Sequence, residues 1–310
     1  KIEAPYGRGP REYPSDPLGG WIGGAPGPEP WNINALFVKL HRNRKSLCLD
    51  LKKAQARKIF LELVALADVV VENFSARAMP SMGLGYAALR RANDKIIYVS
   101  MPGYGMSGPY RDRVAFGPTV EPLSGLTQML GYSSEEPRNS AMALMDPIAA
   151  TQAAAAVTDA LMQRAETGKG CLIEMSLHEG GVTYSAPWLV DEQLGQRPQC
   201  MGNRHPAMAP HGIYPSKGED CWIAIACKND EQWRALCNLI GHPEKSNLAL
   251  SERIEQHDEI DDMICAWSLI RTNQEATALL QDYTIAAGPV NNAADITEDQ
   301  QVKARQFFVP

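Results

Sequence analysis

From residue 46 onward, the chain alternates short apolar runs with longer stretches in which apolar residues recur every three or four positions. The apolar runs at residues 46–50, 69–72 and 96–100 predict strands, and the periodic stretches at residues 54–66 and 86–92 predict helices. Strands and helices that alternate at this spacing are typical of parallel βαβ units. The sequence therefore predicts an α/β protein with an open parallel sheet covered by helices.

The last third of the chain has a pattern of its own. Residues 222–226 predict a strand, and three helices are predicted at residues 230–240, 254–270 and 274–282. Asp230 is the predicted N-cap of the first of these helices, and Thr272-Asn273 is the predicted cap of the third. These elements predict a second, smaller α/β domain.

Polar residues punctuated by Pro and Gly at residues 196–215 predict a linker between the two domains. We therefore expect a large, Rossmann-like domain at residues 1–195 and a small domain at residues 216–287. Proline and glycine are also concentrated in residues 5–32, which predict a long surface loop.

The longest helical stretch of the sequence follows Asp146-Pro147, is rich in alanine and ends at Gly168-Lys169-Gly170, before a strand-like run at residues 171–176. Asp followed by Pro predicts a helix start with Asp146 as N-cap and Pro147 as the first helical residue. The helix dipole favours the ionised carboxylate there, and an ionised carboxylate can act as a nucleophile. From these residues alone, a structural cap is the better supported interpretation.

Composition excludes several classes of function. The net charge is -6 and there is no block of basic residues, so nucleic acids and anionic membranes are not expected partners. The seven cysteines form no Cys-x-x-Cys pair, which disfavours a disulfide framework or a zinc site and suits a reducing cytoplasm. The histidines are scattered, so no metal site is expected; His205 and His211 are nevertheless candidates for a functional role.

Two further patterns could bind phosphates. Gly103, Gly105 and Gly108 follow a predicted strand in the spacing of a dinucleotide-binding loop, but Pro109 comes next and no helical period begins, which disfavours that interpretation. The segment Asn43-Arg44-Lys45 and the pair Lys52-Lys53 place cations on both sides of one short strand. They are either an ordinary solvated charge run or a site for a phosphorylated ligand.

These pieces, in this order and spacing, resemble the family III CoA-transferases, the group that includes formyl-CoA:oxalate and carnitine CoA-transferases. The matching stretches are residues 43–52, 67–74, Met82-Gly83-Leu84, residues 100–109, Leu123-Ser124-Gly125, residues 146–176 and Gly288-Pro289-Val290. The resemblance covers nearly the whole chain. It also implies that family members have a further strand and helix before residue 1, and that residues 288–310 begin a return segment that completes the large domain.

The resemblance implies that Asp146 is the catalytic nucleophile and that coenzyme A is a substrate, with no tightly bound cofactor. CoA would pass from an acyl-CoA to a small carboxylic acid through an aspartyl anhydride and an aspartyl-CoA thioester. Two chains would interlock as a homodimer. By motif position, the resemblance also implies CoA contacts from Leu49, Asp50, Leu51, Lys52, Asn73, Phe74, Ser75 and Arg77.

The chain departs from the family pattern at three places. Ser81 stands where members often carry an arginine on the nucleotide side of CoA, and Arg77 is the candidate substitute. Residues 203–212 stand in place of a glycine-rich lid. Phe116-Gly117 replaces the histidine with which racemases of the superfamily pair their aspartate. We expect the Asp146 carboxylate to face, at least in part, a cleft near residues 103–108.

Three alternatives stay open at this point. The chain could be an acyl-CoA racemase or another CoA-ester enzyme on the same scaffold. It could be a nucleotide-dependent oxidoreductase that uses the glycine triplet. It could also be a catalytically silent CoA-binding paralogue.

Overall fold

The structure is a computed structural model that describes residues 1–4, 21, 33–133, 135–140, 142–196 and 199–308. The chain forms two compact units. The first contains Lys1–Leu126 and Asn139–Val190, and the second contains Thr127–Arg138 and Asp191–Pro310. Nearly all of the predicted loop at residues 5–32 lies outside the described residues.

The first unit is built mainly of short strands and helices in alternation, as the sequence predicts, and two of its helices run across the boundaries to the second unit. In chain order the elements are β1 (Ile2–Glu3), α1 (Ala35–Leu40), β2 (Leu47–Cys48), α2 (Ala54–Val64), β3 (Val69–Glu72), α3 (Ala78–Ser81), α4 (Tyr86–Ala92), β4 (Ile97–Ser100), α5 (Gly117–Leu123), α6 (Leu126–Met129), α7 (Met145–Thr167), β5 (Leu172–Glu174), α8 (Leu177–Tyr184) and α9 (Ala186–Gln193).

The main sheet of the first unit is parallel, with the strand order β3-β4-β5. Val69 pairs with Ile97, and Tyr98 pairs with Leu172. The central strand β4 is buried along its whole length, which explains its nearly continuous apolar sequence. Strands β1 and β2 form a separate parallel pair. The prediction of parallel βαβ architecture is confirmed.

Helices cover both faces of β4, because successive side chains of a strand point to opposite faces of the sheet. Ile96 and Tyr98 pack with residues of α2 and α4 in one apolar cluster. Ile97 and Val99 pack with residues of α5, α7 and α8 in another. The β3–β5 sheet is therefore the middle layer of three.

The long helix α7 runs antiparallel to the strands. At its C-terminal end, Arg164 Nη1 donates hydrogen bonds of 3.1 Å to the carbonyl oxygens of Asp68 and Lys95, and Nη2 donates to Asp68 Oδ1 at 2.8 Å. Asp68 directly precedes β3 and Lys95 lies two residues before β4, so this end of α7 lies at the amino ends of the strands. The other end, which carries Asp146, therefore points toward the carboxyl ends, where α/β sheets bind their ligands. Gly168 ends the helix with a positive φ of 70°.

The second unit combines an antiparallel sheet with helices. In chain order its elements are β6 (His211–Pro215), β7 (Trp222–Ala226), α10 (Asp230–Ile240), a 3₁₀ turn (Pro243–Lys245), α11 (Leu250–Glu255), α12 (His257–Ser268), α13 (Asn273–Asp282), β8 (Ala286–Pro289), α14 (Ala293–Glu298) and α15 (Gln300–Ala304).

Strand β7 is the centre of this sheet, and both of its neighbours, β6 and β8, are antiparallel to it. One apolar face packs against α10, α12 and α13, with Ile223, Trp233 and Ile264 at its centre. The described residues of the ranges 196–215 and 288–310 belong to this unit.

Two local predictions in the second unit were wrong. The predicted helix at residues 254–270 is two helices, α11 and α12, because the chain leaves helical geometry at Gln256 between them. The N-cap of α10 is Asn229 rather than Asp230, since the Asn229 side chain accepts the Gln232 N–H at 2.9 Å. The Thr272 cap of α13 is confirmed, with a reciprocal hydrogen bond from the Thr272 N–H to Glu275.

Candidate functional site

Asp146 is the second residue of α7, which corrects the prediction that it caps the helix. The helix begins at Met145 because the chain already turns at residue 143, where the Ala143 carbonyl accepts the Asp146 N–H at 3.0 Å. The residue in the capping position is Leu144, whose side chain cannot accept a hydrogen bond. The Asp146 side chain is exposed and, among the described residues, has no hydrogen-bond partner. It is therefore available for chemistry.

The neighbour that defines the space around Asp146 is Gly117, the first residue of α5. A Cβ atom on Gly117 would lie 3.0 Å from Asp146 Oδ1 and 3.1 Å from the Ala143 Cβ. A glycine at this position thus leaves room for the carboxylate. Gly103 packs in turn against Ala115, two residues before Gly117. These contacts link the glycine loop to the segment that touches Asp146; a cleft at residues 103–108 stays a prediction.

The pKa of the Asp146 carboxyl is raised above its usual value, because neighbouring protein atoms exclude water from one side of it. Charged groups in the described part of the chain do not contribute to this shift. Desolvation makes the ionised group more basic. Asp146 is thus an unpaired and partly desolvated carboxylate at the start of a long helix.

The loop after β4 is held at the carboxyl end of the sheet by Glu174, the last residue of β5, and by His178, which follows this strand. The His178 N–H donates to the Gly103 carbonyl at 3.0 Å, and the Met106 N–H donates to Glu174 Oε1 at 2.7 Å. Gly105 and Gly108 have positive φ values of 84° and 81°. Turns and irregular backbone continue from Gly108 to residue 116, so the helix that a dinucleotide-binding loop requires does not follow, as the sequence predicts.

The first predicted CoA-contact segment, residues 49–52, follows β2. The Lys52 N–H donates to Asp50 Oδ1 at 3.1 Å. Arg57 of α2 donates to the carbonyl oxygens of Leu51 and Lys52 at 3.1 and 2.8 Å, which holds the turn against the helix. The Lys52 side chain is exposed, whereas Leu49, Asp50 and Leu51 are half-buried. The backbone of the turn is therefore fixed, and the Lys52 side chain lies at the protein surface.

The second predicted segment, residues 73–77, follows β3. Asn73 Nδ2 donates to the Met101 carbonyl at 3.2 Å, and the Ser75 carbonyl accepts the Ala78 N–H at 2.8 Å. The ring of Phe74 is 43% exposed. Arg77 pairs with Asp112 of the glycine-loop segment at 2.5 Å, and both side chains are well exposed. A phosphate-binding role for Arg77 would therefore compete with this ion pair.

Several of the predicted site residues lie together at the carboxyl ends of the parallel strands. Residues 73–77, the glycine loop and residues 175–178 follow the carboxyl ends of the adjacent parallel strands β3, β4 and β5. Helix α7 directs Asp146 toward the same edge. The turn at residues 49–52 belongs to the separate β1–β2 pair, but Leu51 packs into the same apolar cluster as Met79 of α3. The roles of these residues as CoA contacts stay predictions.

The two histidines of interest lie in the second unit and are held by the backbone. His211 Nδ1 lies 2.6 Å from the Asn203 carbonyl, and His205 Nδ1 accepts the Ala207 N–H at 3.0 Å. Their ring centroids are 5.4 Å apart. The described residues include no cluster of three potential metal ligands among His, Cys, Asp and Glu. They also contain no helix with the length and hydropathy of a membrane span.

Asp146 does not line either of two cavities found among the described residues. One, of about 550 Å³ in the first unit, is lined in part by Asp68, Asn93, Lys95 and Arg164, at the amino ends of the strands. The other, of about 580 Å³, lies in the second unit and is lined in part by Arg204.

Sequence reasoning missed two residues at this edge of the first unit. It assigned no role to Glu72, although an acid that ends a Val-Val-Val strand is an unusual residue to bury. It noted Gly117 only as part of the pair that replaces the histidine of the racemases, and it missed the close approach of Gly117 to Asp146. The two residues are too far apart along the chain for a local sequence pattern to indicate this approach.

Comparison with known proteins identifies the chain's relatives. A family model described as CoA-transferase family III matches residues 1–310. The succinyl-CoA–D-citramalate CoA-transferase of Chloroflexus aurantiacus is 31% identical over 278 residues, which are 87% of this chain and 68% of the relative. The acetyl-CoA:oxalate CoA-transferase of Acetobacter aceti is 32% identical over 292 residues, 91% of this chain and 74% of the relative.

A solved structure gives the same picture. The crystal structure of a CAIB/BAIF family protein from Brucella suis is 28% identical, with a TM-score of 0.84, and the match covers 100% of this chain and 80% of that chain. In eight of the curated relatives, the match covers between 36% and 74% of the length of the relative.

Proposed function

The chain belongs to CoA-transferase family III, and on that premise we propose that the protein moves CoA from an acyl-CoA donor to a carboxylic acid, with Asp146 as nucleophile. The observation that carries this proposal is the state of Asp146: an exposed carboxylate without a hydrogen-bond partner among the described residues. It lies at the start of α7, toward the carboxyl ends of a parallel sheet.

The first half of the proposed reaction loads CoA onto the enzyme. An Asp146 oxygen attacks the thioester carbonyl of the donor, the C–S bond breaks, and CoA leaves as a thiolate from a mixed anhydride. The thiolate then attacks the Asp146 carbonyl carbon of that anhydride. The donor acid leaves as a carboxylate, and an aspartyl-CoA thioester remains.

The second half reverses these steps with a new acid. The acceptor carboxylate attacks the aspartyl carbonyl and releases CoA thiolate, which then attacks the acceptor's acyl carbon and regenerates the Asp146 carboxylate. No net proton is gained or lost. The raised pKa of Asp146 supports this role, because a partly desolvated carboxylate is more basic when ionised. Backbone N–H groups near the start of α7 and in the glycine loop are the candidate donors to the tetrahedral oxyanions.

Small organic acids are the proposed acceptors, and a homodimer is the proposed assembly. Relatives named for succinyl-CoA with D-citramalate and for acetyl-CoA with oxalate support small acids as a class. We test acceptors in a panel of mono- and dicarboxylic acids, with mass spectrometry of the CoA esters formed. Light scattering after size exclusion measures the assembly.

The experiment that tests the nucleophile is a mass measurement on intact protein. The protein is mixed with an acyl-CoA donor, quenched in acid and weighed, and we expect a mass increase of one CoA less one water. Asp146→Ala should abolish the adduct. Asp159→Ala is the matched control, because Asp159 is an exposed carboxylate on the same helix and should leave the adduct intact. An adduct that persists in Asp146→Ala would place the nucleophile elsewhere.

A further inference from the structure

Glu72 is the last residue of β3 and its side chain is buried. Its Oε1 accepts hydrogen bonds from the Tyr98 hydroxyl at 2.9 Å and from the Ser100 hydroxyl. Its Oε2 accepts the Phe74 N–H at 2.8 Å. One carboxylate thus joins the central strand β4 to the turn that follows β3.

Backbone hydrogen bonds reinforce this connection. The Met101 N–H donates to the Glu72 carbonyl at 3.0 Å, and Asn73 Nδ2 donates to the Met101 carbonyl at 3.2 Å. The turn at Asn73 and Phe74 is therefore fixed on both sides, whereas the two side chains that it carries remain exposed. Because Glu72 and Met101 hold this exposed turn by hydrogen bonds, its backbone conformation is fixed before a ligand binds.

Three groups that can donate hydrogen bonds face the Glu72 carboxyl: the Phe74 N–H and the hydroxyls of Tyr98 and Ser100. Burial and then the Glu72 charge raise the pKa of the Tyr98 hydroxyl above its usual value. No cation contacts Glu72 within the described stretches of the chain. Glutamate is rarely buried in a protein, so the position of Glu72 calls for a role beyond packing.

We propose that Glu72 is a positioning residue for coenzyme A: it fixes the Asn73–Phe74 turn in the conformation that binds the CoA moiety. This inference rests on the proposed function. Glu72 acts on binding through the Phe74 N–H, and the chemistry at Asp146 does not depend on it. Preordering the turn lowers the conformational cost that the ligand must otherwise meet.

The test compares three variants of Glu72 by calorimetric titration with free CoA. Glu72→Leu has a similar size but no acceptor, and we expect its Kd to rise about tenfold. Glu72→Gln can still accept the Phe74 N–H and donate to the Tyr98 hydroxyl, so its Kd should stay within about threefold. Glu72→Asp has a side chain one methylene shorter, which cannot reach the Phe74 N–H and the hydroxyls of β4 together. Its Kd should lie between those of the other two variants.

Glu121 provides the matched control. It is also a buried carboxylate of the first unit, and it accepts the Ser140 N–H at 2.8 Å and the Ser140 hydroxyl at 2.6 Å. Glu121→Leu should lower the melting temperature as Glu72→Leu does, yet leave the Kd for CoA within about twofold. Equal changes in Kd for the two variants would assign Glu72 a purely structural role.

Other outcomes also decide the question. If Glu72→Leu does not fold, Glu72→Asp carries the test, and a wild-type Kd in that variant overturns the proposal. A wild-type protein that binds no CoA would contradict the proposed function itself. Normal CoA binding in wild type and in Glu72→Leu would contradict only the role of Glu72.

Discussion

Asp146 and Glu72 are both carboxylates near the carboxyl edge of the sheet in the first unit, yet their surroundings are opposite. Asp146 is exposed and has no hydrogen-bond partner among the described residues. Its pKa is raised by partial burial and not by neighbouring charges of the described residues. Glu72 is buried and accepts three hydrogen bonds. The first is left free to form bonds to a substrate, whereas the second has its lone pairs occupied by the protein. The same functional group thus serves chemistry in one environment and architecture in the other.

The largest expected effect is on turnover, which should depend on Asp146 far more than on Glu72. Asp146→Asn keeps the size of the side chain but removes the anionic nucleophile, so we expect kcat/KM to fall by at least ~10³-fold. Glu72→Gln should retain most of the wild-type kcat. Both values come from steady-state assays with an acyl-CoA donor and an acid acceptor. Comparable losses of kcat in the two variants would remove the distinction between them.

The next effect concerns stability, which we expect to fall in the Glu72 variant and not in the Asp146 variant. Glu72→Leu leaves the Tyr98 and Ser100 hydroxyls and the Phe74 N–H without their acceptor, and we expect the free energy of unfolding to fall by roughly 3 kcal/mol. Asp146→Asn should not destabilise the protein at neutral pH. Urea unfolding followed by circular dichroism measures both changes. A Glu72→Leu variant as stable as wild type would show that the network is dispensable.

A smaller effect tests the ion pair between Arg77 and Asp112. If Arg77 contacts a phosphate of CoA, Arg77→Ala should raise the KM for acyl-CoA about fivefold, the loss expected for one exposed charge contact. Asp112→Asn frees Arg77 and should lower this KM or leave it unchanged. The ion pair itself is exposed and contributes little to stability. Equal increases in KM for both variants would mean that the pair serves only to hold the loop.

The smallest effect is the pH dependence of stability that Asp146 confers. Because the pKa of Asp146 is raised in the folded protein, the folded state holds this proton more tightly than the unfolded state. Stability therefore falls as the pH rises from the unfolded pKa through the folded one, and the loss persists at neutral pH. Asp146→Asn should melt slightly above wild type at pH 7, and the difference should vanish at a pH below both values. Calorimetric melting temperatures at several pH values measure it.

Local patterns predicted much of the first unit. The bounds of β3 and α4 agree with prediction because a run of three valines and a Tyr-Ala-Ala-Leu period are strong short-range signals. The start of α7 was misplaced, since the turn at Ala143 is formed by a backbone hydrogen bond that leaves no mark on residue type. Caps are decided by such details of geometry, which explains why Asn229 was also missed.

The site could be predicted only in outline. The position of Asp146 at the head of an alanine-rich helix was visible in the sequence. The contacts of Glu72 with Tyr98 and Ser100 were not, because they join residues 26 and 28 positions apart through strand register. The approach of Gly117 to Asp146 depends on tertiary packing in the same way. The sequence pattern indicates which side chains could take part in catalysis. Tertiary packing decides which of these side chains stay accessible to a substrate.

The long helix α7 has a mechanical consequence. Arg164 ties its far end to the carbonyl oxygens that precede β3 and β4, about 27 Å of helix away from Asp146. A helix of this length behaves as a stiff lever, so a small tilt at the anchored end becomes a displacement of the nucleophile at the other. The position of Asp146 therefore depends partly on contacts at the amino ends of the strands, the opposite end of the sheet. We expect substitutions of Arg164 to alter turnover although this residue lies a whole helix length away from Asp146.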